Sequence, residues 1–379
     1  MLTSLQIVII SLCFLFLALI LGIVIYLIKN HNKKEYTCTT ENCPSPSSCV
    51  NNVCTSYNKY QIIDNLSGND LIPTTNNTSA MIYYVTENDP TQGYVNYGAW
   101  DDLIDVNNAT GKFIVKAGNV KGGKRKMIRM YSRKAYNDGL FVIKADHIPE
   151  GNGVWPAFWL TSKTNTWACG GEIDIIEGVN SISSDPNSSR NNSTLHTNDG
   201  SGVCQQKGVK NISDPNCSSV GNSKIDYTCG CNRNEKCPYG GCGIKLDSQY
   251  SFGYGFNING GGIYATELTT DGFISIWFFP KDTEPEDLKD PNGTPDPSTW
   301  PNSDNVIKFK QCKGNFKNLE MVLNTDLCGT WAGTNFINES TKAKGISACQ
   351  NYIDTQDLSK AYWSIDYIKV FQKISKPFS

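Results

Sequence analysis

From about Tyr60 onward, short apolar stretches alternate with clusters of Gly, Pro, Asn and Asp. Gly139–Ile148 alternates in part between apolar and polar positions, and Gly261–Pro280 has the pattern of two strands around a Thr-Thr-Asp-Gly turn. In Tyr362–Phe371 the alternation places Trp363, Ile365 and Tyr367 on one face. Helical periodicity over ten or more residues is hard to find. The pattern therefore predicts an all-β sandwich or barrel.

The N-terminal segment Leu5–Ile28 has 24 residues without a charge, enough to cross a bilayer as a helix. A cleaved signal peptide would have a basic start, a shorter apolar region and a small-residue cleavage site, and none of these is clear. We therefore expect an uncleaved transmembrane anchor and basic flank at residues 1–34. A buried helix of a soluble protein is the less favoured interpretation.

Cysteine usage indicates an oxidising compartment. Of 15 cysteines, 14 lie outside the anchor. No CxxC pair has partnering histidines, so disulfides are favoured over zinc. Eleven N-x-S/T sequons agree with a secretory route. A tight cluster predicts a small disulfide module at residues 35–57, formed by Cys38, Cys43, Cys49 and Cys54.

The orientation of the anchor is open. The lysines that follow the apolar segment place the C-terminal bulk in the cytoplasm by the positive-inside rule: Lys29, Lys33 and Lys34. The cysteines and sequons indicate an extracellular or lumenal side, or a virion surface. We give the cysteines more weight.

Three acids interrupt an otherwise apolar run in "GGEIDIIEGVN", Gly170–Asn180. In a strand, Glu172 and Asp174 share one face, whereas Glu177 has the wrong parity. A β-bulge of one residue would return Glu177 to that face, and bulges gather beside active sites. Glu172 and Glu177 would then lie roughly 13 Å apart at Cα. Their side chains could lean inward to the ~5–5.5 Å carboxyl separation of a retaining glycosidase.

This arrangement predicts separate roles for the acids. Glu172 attacks as a carboxylate, while Glu177, with a raised pKa, protonates the leaving oxygen and later deprotonates water. Asp174 hydrogen-bonds the nucleophile and couples the titrations. A solvated sheet face and a calcium site made from three carboxylates are the alternatives.

Aromatic residues and a histidine flank the acids in sequence: Trp155, Trp159, Trp167 and His196. Such a cluster suits a cleft that stacks sugar rings, because their faces are apolar and their rims hydrogen-bond. Taken singly, each Trp is more often a core residue and a lone His is usually structural, although a His beside acids tunes their proton transfer. The net charge of −2 gives no basic field that would indicate nucleic acid.

Together these stretches resemble glycoside hydrolase family 16, in particular its fungal-type laminarinase (endo-1,3(4)-β-glucanase) branch. The resemblance runs over roughly residues 60–373 through "GVWPAFWL", "GGEIDIIEGVN", "TLHT", "GYGFNINGGGIYATE", "ISIWFFP", "CGTWAG" and "YWSIDYIKVF". It implies a jelly-roll β-sandwich of two curved antiparallel sheets with a cleft across the concave face. That catalytic domain would span residues 58–373, followed by a tail at 374–379.

The family motif implies the same roles for the acids: Glu172 matches the nucleophile, Glu177 the general acid/base and Asp174 the assisting acid. Cleft aromatics and the family histidine are matched by Trp159, Trp167, Trp331 and His196. Departures from the family pattern put specificity in doubt rather than proton chemistry, and they lie at Ala168, Leu268 and Thr330.

The sequence thus predicts a membrane-anchored, monomeric, retaining endo-β-glucanase that cuts β-1,3 or mixed β-1,3/1,4 glucan. No cofactor is required, although a structural calcium ion would suit a sandwich of this kind. One alternative is a transglycosylase that passes the glycosyl-enzyme to another sugar. The other is a glucan-binding surface or virion protein that does not cut. The presence of all three acids favours catalysis.

Overall fold

The computed structural model describes residues 60–373 apart from 75–78, 87, 165–166, 168–169, 197–207, 211–217, 220–241, 270–272, 291–292, 302–305 and 311–315, together with residues 47–50 and 53–56. Lys59–Ile374 is one compact unit, and Met1–Asn58 with Ser375–Ser379 is another. In the second unit, strands β1 (Ser47–Val50) and β2 (Val53–Ser56) pair antiparallel, with Cys49 opposite Cys54.

The predicted anchor, Leu5–Ile28, lies outside the described residues and stays a prediction, as do the boundaries predicted at 34/35 and 57/58. None of the helices in the described ranges has the length and apolar character needed to cross a bilayer.

The larger unit is built mainly from strands, as the alternation predicts. In chain order they are β3 (Tyr60–Leu66), β4 (Met81–Tyr83), β5 (Val95–Tyr97), β6 (Ile104–Val106), β7 (Phe113–Lys116), β8 (Val120–Lys121), β9 (Lys124–Met127), β10 (Arg129–Ser132), β11 (Gly139–His147), β12 (Val154–Ser162), β13 (Glu172–Glu177), β14 (Asn192–His196), β15 (Gly208–Lys210), β16 (Ser218–Ser219), β17 (Cys242–Lys245), β18 (Gly262–Leu268), β19 (Phe273–Pro280), β20 (Val306–Lys310), β21 (Leu319–Leu327) and β22 (Tyr362–Lys373).

Two large antiparallel sheets pack face to face within the described part of this unit. The first runs β16-β17-β14-β13-β12-β21-β10-β4, and the second runs β15-β20-β19-β18-β11-β22-β7-β6 with β3 also on β22. One buried core cluster takes side chains from both sheets, for example Phe158 and Ile173 from the first and Phe141 and Ile365 from the second. The predicted β-sandwich is therefore confirmed. A small third sheet, β5-β9-β8, includes the parallel pair β5 and β9.

Short helices connect the strands. The α-helices are α1 (Gly253–Ile258), α2 (Glu286–Lys289) and α3 (Ile346–Thr355). The 3-10 helices span Gly68–Leu71, Asp101–Leu103, Pro186–Ser189 and Pro297–Thr299, and a π-helical turn spans Gly329–Gly333.

Helix α3 was not predicted, because its buried stripe is short. Only Cys349 and Ile353 of its residues are buried, one turn apart. A disulfide joins Cys349 to Cys328 at the end of β21. The Arg125 guanidinium donates to the carbonyl oxygens of Ile353 and Gln356 at the helix C-terminus. The helix is thus held by tertiary contacts rather than by a long apolar face.

The prediction for Tyr367 was wrong. Trp363 and Ile365 reach the core between the sheets, as expected. The register of β22 on β11 shifts between Lys144 and Ala145, so Tyr367 packs instead with the cluster on the outer side of the second sheet. A bulge there changes the face of every residue beyond it.

Candidate active site

The three acids lie on one face of the first sheet because strand β13 is bulged. On β12 they are opposite Thr161, Trp159 and Ala157, which are alternate residues and so share a face. The register shifts between Phe158 and Trp159, which leaves Ile175 as the extra residue on β13. The acids are Glu172, Asp174 and Glu177, and we call the sheet face that carries them the acid face. Ile173, Ile175 and Ile176 all enter the core instead.

The predicted aromatic residues gather around the acids. Trp167 Nε1 donates to Glu172 Oε2 over 2.7 Å, and Trp155 Nε1 donates to Glu177 Oε1 over 2.9 Å. Trp331 packs edge to face on Trp155, with ring centroids 5.4 Å apart. Trp167 is 39% exposed, which leaves much of its ring open to a ligand. Each glutamate therefore has its own indole donor.

Trp159 lies directly beside Asp174 across the strand pair. Its indole Nε1 donates to Asn324 Oδ1 over 2.8 Å, so the ring is fixed on the acid face rather than in the core. The Arg129 guanidinium lies 5.1 Å from the Trp159 ring centroid on the side away from the acids. A cation over an indole face further holds this ring in place.

His196 completes the acid cluster from strand β14, where it is paired with Glu172. Its Nε2 lies 3.3 Å from Asp174 Oδ2 and 3.8 Å from Glu172 Oε1. Burial alone would lower the pKa of His196, but the hydrogen bond and charge of Asp174, together with the nearby glutamates, raise it to about 10. An imidazolium therefore faces Glu172 and Asp174 at neutral pH.

The two glutamates have different electrostatic surroundings. Burial and the charge of Asp174 raise the pKa of Glu172 to about 8, against the opposing effects of His196 and the Trp167 indole. Burial and Asp174 also raise the pKa of Glu177 well above its ordinary range, against the Trp155 indole and His196. Of the two glutamates, only Glu172 lies within 4 Å of His196 Nε2. As the pH rises, Glu172 is therefore the first of the two to become a carboxylate, and Glu177 is the one that stays a carboxylic acid.

A metal ion is a weaker use of this cluster. Ligand atoms of Glu172, Asp174 and His196 lie within 4.8 Å of one another. Calcium prefers six to eight oxygen ligands, whereas this group includes an imidazole nitrogen that is bonded to Asp174. The donor set therefore suits proton chemistry better than calcium.

Sequence reasoning missed several polar residues of the site. Asn324 is the partner of Trp159, and Asn191 bonds the backbone of β13 beside Glu177. Asn324 and Asp326 are polar residues two positions apart in an apolar strand, the same signal that identified Glu172 and Asp174. That signal would have found them. No comparable pattern marks Asn191.

A second pair of buried acids lies at the Trp155 end of the acid face, where Asp326 is opposite Trp155. The Thr91 hydroxyl contacts both Asp89 and Asp326. Burial and the Asp89 charge raise the pKa of Asp326 well above its ordinary range. The Arg129 guanidinium is 3.8 Å from Asp89, which disfavours a cation between the two acids. The pair joins the loop after β4 to strand β21.

Comparison with known proteins supports the sequence resemblance. A family model described as the XgeA-like, catalytic domain of glycoside hydrolase family 16 matches residues 82–371. An endo-1,3(4)-β-glucanase of Arthroderma benhamiae is 34% identical over 308 residues, which cover 78% of this chain and 62% of that protein. A probable endo-1,3(4)-β-glucanase of Aspergillus niger is 31% identical over 332 residues, covering 83% and 40%. The chain thus spans between about two fifths and two thirds of these relatives' length.

Solved structures of family 16 proteins are also similar to this chain. An elongating family 16 β-1,3-glucosyltransferase is 28% identical with a TM-score of 0.61, covering 83% of this chain and 100% of that one. Laminarinase 16A from Phanerochaete chrysosporium, with β-glucans in its donor and acceptor sites, has the same identity, TM-score and coverage.

Proposed function

Because this chain belongs to glycoside hydrolase family 16, we propose that it is a retaining endo-β-glucanase that cuts β-1,3 or mixed β-1,3/1,4 glucan. The observation that carries the proposal is the bulge of β13. It places Glu172 and Glu177 on one sheet face, each with its own indole donor, and only Glu172 beside an imidazolium. Retaining hydrolysis needs two carboxyl groups in opposite protonation states.

The proposed reaction has two steps. In its ionised form, Glu172 attacks the anomeric carbon, forming a glycosyl ester as the bond to the leaving oxygen breaks, and Glu177 gives its proton to that oxygen. A water then attacks the same carbon, Glu177 takes its proton, and Glu172 is released as a carboxylate. His196, which is bonded to Asp174, stabilises the negative charge of Glu172 before the attack and again when Glu172 is released. No step draws on a cofactor, and a structural calcium ion elsewhere stays a prediction.

The proposed substrate is a neutral glucan chain lying on the indoles of the acid face. Pyranose rings present apolar faces to aromatic side chains and hydroxyl rims to polar ones. Trp155, Trp159, Trp167 and Trp331 supply such surfaces around the acids. The β-glucans in the donor and acceptor sites of the Phanerochaete laminarinase support this assignment. Membrane anchoring, an extracellular, lumenal or virion-surface location and a monomeric state stay predictions.

Transglycosylation is the second candidate, supported by the likeness to an elongating β-1,3-glucosyltransferase. It uses the same glycosyl-enzyme, with a sugar hydroxyl in place of water. A glucan-binding protein without activity is disfavoured, because binding alone requires neither the bulge nor the paired acids.

The test is product release from laminarin and barley mixed-linkage glucan by the full chain, beside Glu172→Gln and Glu177→Gln. The matched control is Glu339→Gln, the same change at an exposed residue paired with Lys342. We expect new reducing ends with the native chain and the control, and a loss of at least about 100-fold in both active-site variants.

The same assay separates the alternatives. Products that first appear with the substrate's own anomeric configuration support retention, and inverted products contradict it. Longer oligosaccharides without new reducing ends would indicate transglycosylation. Glucan binding without turnover, unchanged by either variant, would replace the enzyme proposal with the binding protein.

A further inference from the structure

The bulge of β13 needs hydrogen-bond partners for backbone groups that strand β14 does not pair. Pairing between β13 and β14 ends at Asp174 opposite Thr194, three residues before Glu177. The carbonyl of Ile175 and the amide N–H of Glu177 lie beyond that point. A buried backbone group without a hydrogen-bond partner destabilises the folded state, so the bulge depends on the side chains that bond these two groups.

The side chain of Asn191 satisfies both. Its Oδ1 accepts from the Glu177 N–H over 2.9 Å, and its Nδ2 donates to the Ile175 carbonyl over 2.8 Å. The Ser193 hydroxyl gives Ile175 a second donor at 2.9 Å and accepts from Asn191 Nδ2 at 3.0 Å. The amide of Asn191 thus acts as one peptide unit of a missing strand.

Asn191 is itself held on every side. It is 0% exposed. Its backbone N–H donates to Ser251 Oγ over 2.9 Å, and its carbonyl accepts from Leu246 N over 2.8 Å. These contacts fix the position of Asn191. Its side-chain amide therefore holds the backbone nitrogen of Glu177 in place.

We propose that Asn191 is a positioning residue for the general acid/base: its amide fixes the bulge and thereby aims Glu177 across the acid face. The inference rests on the proposed function. Because Asn191 is 0% exposed, it acts through the backbone of β13 rather than on the substrate itself. Without the Asn191 amide, the bulge loses the hydrogen bonds to Ile175 and Glu177. The Glu177 carboxyl is then no longer held at a fixed distance from the leaving oxygen. Glu172, on the regularly paired part of β13, keeps its place.

This role predicts a loss that depends on the leaving group. A glucan leaves as a sugar alkoxide and needs a proton from Glu177, whereas 2,4-dinitrophenolate leaves without one. With the full chain, Asn191→Ala should lower kcat/KM on laminarin by about 100-fold. On 2,4-dinitrophenyl β-laminaribioside, the loss should stay within a few-fold. On laminarin the loss should fall on kcat rather than KM.

Asn257→Ala is the matched control. The amide of Asn257 also bonds both backbone groups of one residue, Ile148, at 2.8 and 2.9 Å. Asn257 lies in helix α1 and bonds the residue that follows strand β11 of the second sheet, so it is not on the acid face. It should lower stability without changing the ratio of the two substrates. Ser193→Ala removes one of two donors to Ile175, so it gives a smaller loss with the same selectivity if Asn191→Ala does not fold.

Equal losses on both substrates in Asn191→Ala and Ser193→Ala would overturn the inference, because a merely structural role predicts that result. The same selectivity in Asn257→Ala would overturn it too. A native chain that turns over neither substrate would instead refute the proposed function.

Discussion

Replacing Glu172 by Gln should stabilise the fold while it abolishes catalysis. The Glu172 pKa rises from an ordinary 4.5 to about 8 on folding, chiefly because the side chain is buried. Between these values the folded state holds a proton that the unfolded chain has released, so stability falls as pH rises. The free energy of unfolding is therefore unaffected by this carboxyl below pH 4.5 and falls as the pH rises toward 8. Gln carries no such dependence and still offers Trp167 an acceptor oxygen.

The magnitude follows from that pKa change. At pH 5 the carboxyl costs the folded state about 1 kcal/mol, and at pH 7 it costs about 3 kcal/mol. The gain from Glu172→Gln should therefore grow by about 2 kcal/mol between pH 5 and pH 7. His196 is present in both proteins, and its raised pKa also makes stability fall with pH, from about 6.5 toward 10.

The assay is urea unfolding of the full chain at 25 °C, followed by tryptophan fluorescence at both pH values. Glu339→Gln, exposed and paired with Lys342, is the control and should change stability equally at pH 5 and pH 7. A Glu172→Gln gain that is the same at both pH values would refute the reasoning. It would mean that the carboxyl is ionised in the fold throughout this range.

Three further changes test other parts of the structure. Trp167→Phe removes the indole donor to Glu172 but keeps a ring, so the acidic limb of the kcat/KM profile should move up by about one pH unit. Joint replacement of Cys328 and Cys349 by Ser opens a loop with a sequence separation of 21, which should cost about 3 kcal/mol in urea unfolding. Arg125→Met leaves buried carbonyls at the end of helix α3 without donors and should cost about 2–4 kcal/mol in the same assay.

Each of these has a contrary result. An unchanged acidic limb in Trp167→Phe would mean that the indole does not stabilise the Glu172 carboxylate. Equal stability of oxidised native chain and the double cysteine variant would remove the disulfide from the forces that hold α3. An Arg125→Met variant as stable as the native chain would mean that water replaces the guanidinium at those carbonyls.

The bulge of β13 could be predicted because charge made the alternative too costly. An unbulged strand would bury the Glu177 carboxylate in the core, and burying an unpaired charge is prohibitive. The bulge of β22 carried a similar signal at Lys369, because an unbulged strand would turn Lys369 to the core face of Trp363 and Ile365. The prediction for Tyr367 did not use that signal, since the tyrosine itself suits either face.

Other parts of the site were beyond local patterns. Asn191 and Asn324 act through partners that are 14 and 165 positions away in sequence. Helix α3 is held by a distant cysteine and Arg125 rather than by its own periodicity. Strand alternation and the acid spacing predicted the sandwich and the three acids. Long-range hydrogen bonds, which leave no periodic trace, decided the rest.

Asn191-Asn192-Ser193 is also an N-x-S sequon. The nitrogen that would carry a glycan is the one that donates to Ile175, and Asn191 is 0% exposed. A chain with a glycan on this nitrogen therefore cannot bury Asn191 and form this bulge. If the chain enters a secretory route, as its cysteines and sequons predict, β14 must pair with β13 before the glycosylating enzyme reaches Asn191. Chains glycosylated at Asn191 before this pairing forms would have a glycan at a buried position. The active fraction of a preparation would then be the fraction without a glycan at Asn191.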